Sequence, residues 1–219
     1  MTDCDCCGST EVSTGATSDG TDHGGHALAA TDADPMARPL PEEVGRALGE
    51  VYGAERPAGT VGDWVAAVRD ALDGTEWMPP SVGDLCHDAE GRHVARNPDQ
   101  SFRFVCVLDA FVLQALVDAA VTVESTPPGG GEVRATVTAD GVDADPGTAV
   151  LSVGAAADPD VPDEPTPAAV YGQLCPYVHA FPSREAYREW DAATPEGATT
   201  ALPLTAARDL AAALVEPSD

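Results

Sequence analysis

Apolar residues along this chain change their spacing several times, and each change marks a predicted element. Val44, Leu48 and Val51 recur at helical intervals. Pro41, Glu42 and Glu43 ahead of them suit a first helical turn, where a missing amide costs little and carboxylates meet the positive helix end. Thr60 opens a second helix by offering its hydroxyl to the amide near Asp63. Val61, Trp64, Val65, Val68 and Leu72 follow on one face until Gly74 stops the run. Between Leu85 and Arg96, Asp88-Ala89-Glu90-Gly91 reads as a turn joining two short strands.

Phe104 to Val123 is the longest apolar run. Asp109, Gln114 and Asp118 interrupt it, and it lacks the basic flank of a membrane span, so it reads as a buried helix from about Cys106 and then a strand. Strands are expected near 119–124, 132–138 and 148–153. Pro127-Pro128-Gly129-Gly130-Gly131 and Asp145-Pro146-Gly147 join them. A Pro/Asp-rich loop spans 155–167, a segment carrying Cys175 follows, and helices are expected near 183–191, capped by Ser183, and 203–215.

These elements predict an α+β fold in three parts. Residues 1–36 lack aliphatic periodicity and read as a flexible tail carrying Cys4, Cys6, Cys7, His23 and His26. Residues 37–98, two helices and a hairpin, form a reduced winged-helix-like module. Residues 99–219 form a core of antiparallel strands with helices. No internal repeat is visible.

Composition changes the picture in one respect. The chain has 219 residues with 37 acidic and 11 basic, a net charge of -26, and every basic residue is Arg. Such a surface repels phosphate backbones and anionic lipid, which argues against nucleic-acid and membrane partners. The carboxylates are interleaved with Val, Leu and Ala, as in a protein from a halophile, where concentrated salt screens self-repulsion within roughly 3 Å at 1 M. With aromatic content at only 5%, small aliphatic residues must supply the core. The N-terminus shows no signal peptide, so a cytoplasmic location is expected, with cysteines kept reduced for metal or chemistry.

Candidate chemistry centres on two segments. In Phe104-Val105-Cys106-Val107-Leu108-Asp109-Ala110-Phe111, the helix is apolar almost all round, so Asp109 lies in or beside the core. An ionised carboxylate there is costly unless paired, metal-bound or protonated. Cys106 stands three residues earlier and projects from the same face. A cysteine at a helix start also meets the amide ends, which favour thiolate. The second segment is Gly172-Gln173-Leu174-Cys175-Pro176-Tyr177-Val178-His179-Ala180-Phe181. Pro176 keeps Cys175 out of a helix interior, so its sulfur can point into a pocket. Taken singly, either cysteine reads equally as a small core hydrophobe. Asp109 could also serve as a cap or pair with Arg103.

The ordered set resembles the organomercurial (alkylmercury) lyase family over roughly residues 100–215. The Cys106-x-x-Asp109 element with its apolar helix resembles that family's first catalytic block. The run from Ala139 to Val153 looks like its central strand–turn–strand, and the segment ending Val178-His179-Ala180-Phe181 resembles its second cysteine block. The resemblance implies a carbon–mercury lyase in which Cys106 and Cys175 bind mercury and Asp109 manages the proton. It further implies no required cofactor, Hg(II) held as product by the same trio, mercury detoxification as the role, and a mercuric reductase or small thiol as metal acceptor. Pro176 and Tyr177 stand where some relatives have Cys and His, which touches substrate range.

Other cysteines and histidines carry weaker signals. Cys4, Cys6 and Cys7 could scavenge soft metal or bind zinc with His23 or His26, although a tail with no specific ligand accounts for them as well. Cys86-His87 with His93 reads first as part of the hairpin wing, with a metal role as the weaker alternative, and His179 reads as structural packing. Two further functions compete with the lyase. One is a non-catalytic carrier of Hg, Cu or Zn, which would need no acid at Asp109. The other is a winged-helix metal-responsive regulator, which the charge opposes.

Overall fold

A computed structural model describes residues 34–216 except 76, 77, 79, 118 and 163–166. The tail residues singled out above (Cys4, Cys6, Cys7, His23 and His26) lie outside the described residues. The first ordered feature is a 3₁₀ turn, Pro35–Ala37, capped by Asp34, whose carboxylate accepts from the Met36 amide.

Helix α1 spans Glu42–Val51 and α2 spans Val61–Leu72. Thr60 and Asp63 form a full capping box, each side chain accepting the other's backbone amide, so the second helix starts where its cap dictates. Strands β1 (His93–Arg96) and β2 (Ser101–Phe104) make the expected hairpin later than expected. The turn is at Asn97–Gln100, where the Asn97 side chain accepts two amides. The Asp88–Gly91 turn instead precedes β1. A winged-helix-like module over 37–98 is not confirmed, because β1 pairs with β2 on one edge and with β3 on the other. Strands from both sides of residue 98 therefore share one sheet.

That sheet is antiparallel throughout, in the order β2-β1-β3-β4-β5. Its later members are β3 (Val121–Ser125), β4 (Val133–Thr138) and β5 (Gly141–Asp145). Alternation decides its faces: Val121, Val123, Val133, Ala135 and Val137 point inward, while Thr122, Arg134 and Thr136 are exposed. Helix α3 (Val107–Val117) lies against β1, β3 and β4 and is covered by α6 (Ala206–Val215). Being enclosed from both sides explains why α3 has no polar face. Each fully buried Val, Leu or Phe there contributes about 1.5–3 kcal/mol.

The second sheet is ordered β7-β6-β8, from β7 (Ala180–Phe181), β6 (Val150–Ala156) and β8 (Gly197–Pro203). Helix α1 packs on β6 and β8, and α5 (Arg184–Ala192), capped by Ser183, on the same sheet. Gly154 is required by crowding, since a Cβ there would stand 2.1 Å from the Ala198 carbonyl oxygen. Two strands were not anticipated. β7 is only two residues long, and Ala/Thr-rich β8 lacks a two-residue apolar period. Helix α4 (Pro167–Leu174) leads into a 3₁₀ turn, Cys175–Tyr177, in which Pro176 ends the helix as expected.

Candidate active site

Three backbone links assemble the site. Cys106 sits between β2 and α3, and its two neighbours each bind a different segment. The Val105 amide donates to the Cys86 carbonyl at 3.1 Å, and the Val107 amide donates to the Val178 carbonyl at 3.2 Å. The loop carrying Cys86 and the turn carrying Cys175 are thus sewn to opposite sides of one short segment. The Cys86 loop is held again by an Asp88 amide bond to the Arg103 carbonyl, which with the Val105 bond makes His87 and Phe104 an isolated antiparallel bridge pair.

The result brings together residues far apart in sequence. Cys106, Asp109 and Cys175 line one cavity of about 800 Å³. Cys106 and Cys175 are buried, and the Cys175 thiol hydrogen-bonds with the thiols of Cys106 and Cys86. Hydrogen bonding to Cys106, then to Cys86, and then burial all push the Cys175 thiol up, so it keeps its proton. The same bond with Cys175 favours thiolate at Cys86, which is only partly buried.

Asp109 lies in the first turn of α3 and its Oδ2 accepts the Cys86 amide at 2.9 Å. Desolvation raises its pKa to about 6, against the lowering effects of that hydrogen bond and of His87 nearby. Most of the remaining wall is apolar, with Trp64, Val68, Leu108, Val112, Val170 and Leu214 among its members. Two phenols complete it. Burial drives the hydroxyls of Tyr52 and Tyr171 far above their usual range, and the Tyr171 hydroxyl donates to the Asp84 carbonyl at 2.6 Å.

Behind the Cys175 turn lies a buried polar chain that the sequence reading did not connect. His179 Nε2 is 2.8 Å from the Pro176 carbonyl, which can only accept, so that nitrogen carries the proton. Its Nδ1 then accepts from His93 Nε2 at 3.2 Å, and His93 Nδ1 accepts from the Ser125 hydroxyl at 2.8 Å. Burial lowers the pKa of His93 to about 3 and of His179 to about 4, so both rings are neutral. His179 therefore braces the backbone of the Cys175 turn. His93 points into this chain and not toward His87, whose Nε2 bonds the Val82 carbonyl at 2.7 Å. Among the described residues no cluster of His, Cys, Asp and Glu forms a ready-made metal cage.

Sequence reasoning noted Cys86 only with His87 and His93 and did not connect it to Cys106, Asp109 and Cys175. Its tie to Asp109 spans 23 residues and passes through the backbone, so no local pattern reports it. The available signal was scarcity: the described residues hold three cysteines, and all three meet at this cavity.

Thiols beside a carboxyl in an apolar chamber are a donor set suited to a soft metal. The alkylmercury lyase family model matches residues 87–216. The chain belongs to the alkylmercury lyase family and is an enzyme of that class. It is similar to the mercury-bound form of MerB2, a solved structure with 16% sequence identity and a TM-score of 0.47. That likeness covers 80% of this chain and 91% of the other. No curated protein matches the chain.

Proposed function

We propose that this protein cleaves organomercurials by protonolysis, with Cys106 and Cys175 as mercury-binding thiolates and Asp109 as proton carrier. The observation that carries this reading is the shared cavity of the three residues. In the resting site Asp109 loses its proton near pH 6, and Cys175 retains one. The first thiol to attack mercury displaces its exchangeable ligand and passes its proton to the Asp109 carboxylate, and the proton of the second thiol leaves with the displaced ligand. The second sulfur enriches the metal in electron density and weakens the carbon–mercury bond. Asp109 then delivers its proton to the departing carbon, so a neutral hydrocarbon leaves and no free carbanion forms. Hg(II) stays on the two sulfurs, and no oxidation state changes.

The apolar wall suits the hydrocarbon substituent, and the chemistry as written calls for no cofactor. Detoxification of mercury, with transfer of Hg(II) to a small thiol or a mercuric reductase, is the role we assign. The chain has no described helix long and apolar enough to cross a membrane. Together with the reduced state the thiols need, this supports a cytoplasmic site of action, and the -26 charge supports a salt-adapted source. A carrier of soft metal could use the same thiols, yet it would gain nothing from a buried carboxyl. Incubation with phenylmercury decides between them. Wild type should release benzene and Asp109→Ala should not, whereas metal uptake without benzene from wild type would end the lyase reading.

A further inference from the structure

The mechanism above uses two sulfurs, and the cavity offers a third. Cys86 lines the same chamber as Cys106 and Cys175 and is the least buried of the three described cysteines. Its position is fixed by the backbone on both sides. The amide donates to Asp109 Oδ2 at 2.9 Å, and the carbonyl accepts from Val105, the residue beside Cys106. The match to the alkylmercury lyase family begins at His87, one residue after it. Cys86 therefore lies just outside the matched residues.

We propose that Cys86 is a third sulfur ligand, so that Hg(II) is held by Cys86, Cys106 and Cys175 together after the carbon–mercury bond has broken. The lyase reading supplies the metal in this account, while the shared cavity of the three thiols does not depend on it; they form no ready-made cage, so the sulfurs close on the metal as it binds. Thiolate is the preferred donor for so soft a metal, and a third one strengthens retention. In this step a Hg–S bond forms to Cys86 and its S–H bond breaks. The proton passes to water, and the metal stays Hg(II). Because Cys86 is the most exposed of the three, it is also where an incoming external thiol would first meet the metal.

The test uses the full-length chain with Cys4, Cys6 and Cys7 replaced by Ser, so that tail thiols add no sulfur. After loading with one equivalent of mercuric chloride, X-ray absorption at the mercury edge counts the sulfur neighbours. Three are expected, falling to two on adding Cys86→Ser, with Hg(II) transfer to excess glutathione becoming about tenfold faster. Two sulfurs in the Cys86-containing protein would overturn the proposal without reliance on any fragile variant. Three in both would overturn it as well, because the third sulfur would then come from elsewhere. Benzene release from phenylmercury, measured in parallel, reports separately on the lyase reading. Benzene with two sulfurs removes only this proposal, and three sulfurs without benzene removes only the lyase.

Discussion

The backbone amide of Cys86 donates to Oδ2 of Asp109 over 2.9 Å, tying the proposed proton carrier to a loop that also carries a thiol. This single contact both orients the carboxylate and partly stabilises its charged form. Burial still outweighs it, leaving the pKa at about 6. Such a value suits a group that must take a proton from a thiol and then surrender it to carbon.

Asp109→Asn keeps an oxygen for the Cys86 amide and removes only the transferable proton. Benzene release should therefore fall by about 10²–10⁴-fold, the usual worth of a positioned general acid. Hg(II) binding should persist. For wild type, kcat/KM should rise as pH increases through about 6, where Asp109 becomes able to accept the thiol proton. Single-turnover assays with gas chromatography check both, and a variant as fast as wild type would remove Asp109 from the chemistry.

The same substitution should change stability in a pH-dependent way. Because the folded state raises the Asp109 pKa from 3.8 to about 6, it holds that proton more tightly than the unfolded chain does. The stability this represents is complete below about pH 4 and is lost as pH rises through 6. Two pKa units correspond to nearly 3 kcal/mol, and the partial exposure of Asp109 reduces this to roughly 1–3 kcal/mol. Asp109→Asn carries no such penalty, so its thermal midpoint should exceed that of wild type at pH 8 and converge with it at pH 4. Parallel melting curves across that range would contradict the burial argument.

Much of this architecture is legible in the sequence wherever local chemistry decides. The Thr60–Asp63 cap, the stop imposed by Pro176 and the all-apolar α3 each follow from neighbouring residues. What is not legible depends on partners distant in the chain. β8 is a strand because β6 lies beside it, and its own Ala/Thr composition gives little periodicity. The hairpin joins the main sheet through β3, which no pattern in 37–98 discloses. At the site, Cys106 stands just ahead of α3 and Asp109 in its first turn, three residues apart, so the two can be paired on paper. Cys86 and the His93–His179 chain are placed by tertiary contacts alone.

The histidine chain predicts acid sensitivity of opposite sign to Asp109. Both rings have depressed pKa values, so the folded protein resists protonation while the unfolded chain accepts it near 6.5. Stability is full above pH 6.5 and is lost as pH falls toward 3–4. Replacing His93 by Phe should cost about 1–3 kcal/mol at pH 7.5, because His179 Nδ1 and the Ser125 hydroxyl lose a partner. It should also flatten the decline between pH 6.5 and 4. Urea denaturation at several pH values measures both effects, and an unchanged acid slope would show that the His93 ring is not buried neutral.

Salt should matter in proportion to the net charge of -26. The four ion pairs of the described residues, such as Arg96–Glu124 at 2.6 Å, are exposed at the surface and add little. Repulsion among the unpaired carboxylates dominates instead, and it fades as the Debye length shrinks from about 10 Å at 0.1 M to about 3 Å at 1 M. The thermal midpoint should therefore climb steadily with potassium chloride over that range. A midpoint that is flat or falls would mean that the acidic surface is not an adaptation to salt.

Gly91 offers a way to move the Cys86 loop without touching any thiol. It is buried against the end of β2, and a methyl group there would stand 2.5 Å from the Phe104 carbonyl oxygen and 2.9 Å from its nitrogen. Backbone on both sides cannot yield as a flexible side chain would. Gly91→Ala should therefore push the 86–91 turn away from β2 and cost about 1–3 kcal/mol. The Asp88 amide bond to Arg103 and the Val105 amide bond to Cys86 lie on that contact, so both should lengthen. Asp109 then loses its fixed partner, and a displacement near 1 Å at reacting groups can cost about 100-fold in rate. The expected outcome is a folded variant with slowed benzene release and weaker protection of the Cys86 and Val105 amides in hydrogen exchange. Wild-type activity together with unchanged protection would show that the loop tolerates the methyl group, and that its contact with β2 does not set the geometry of Asp109.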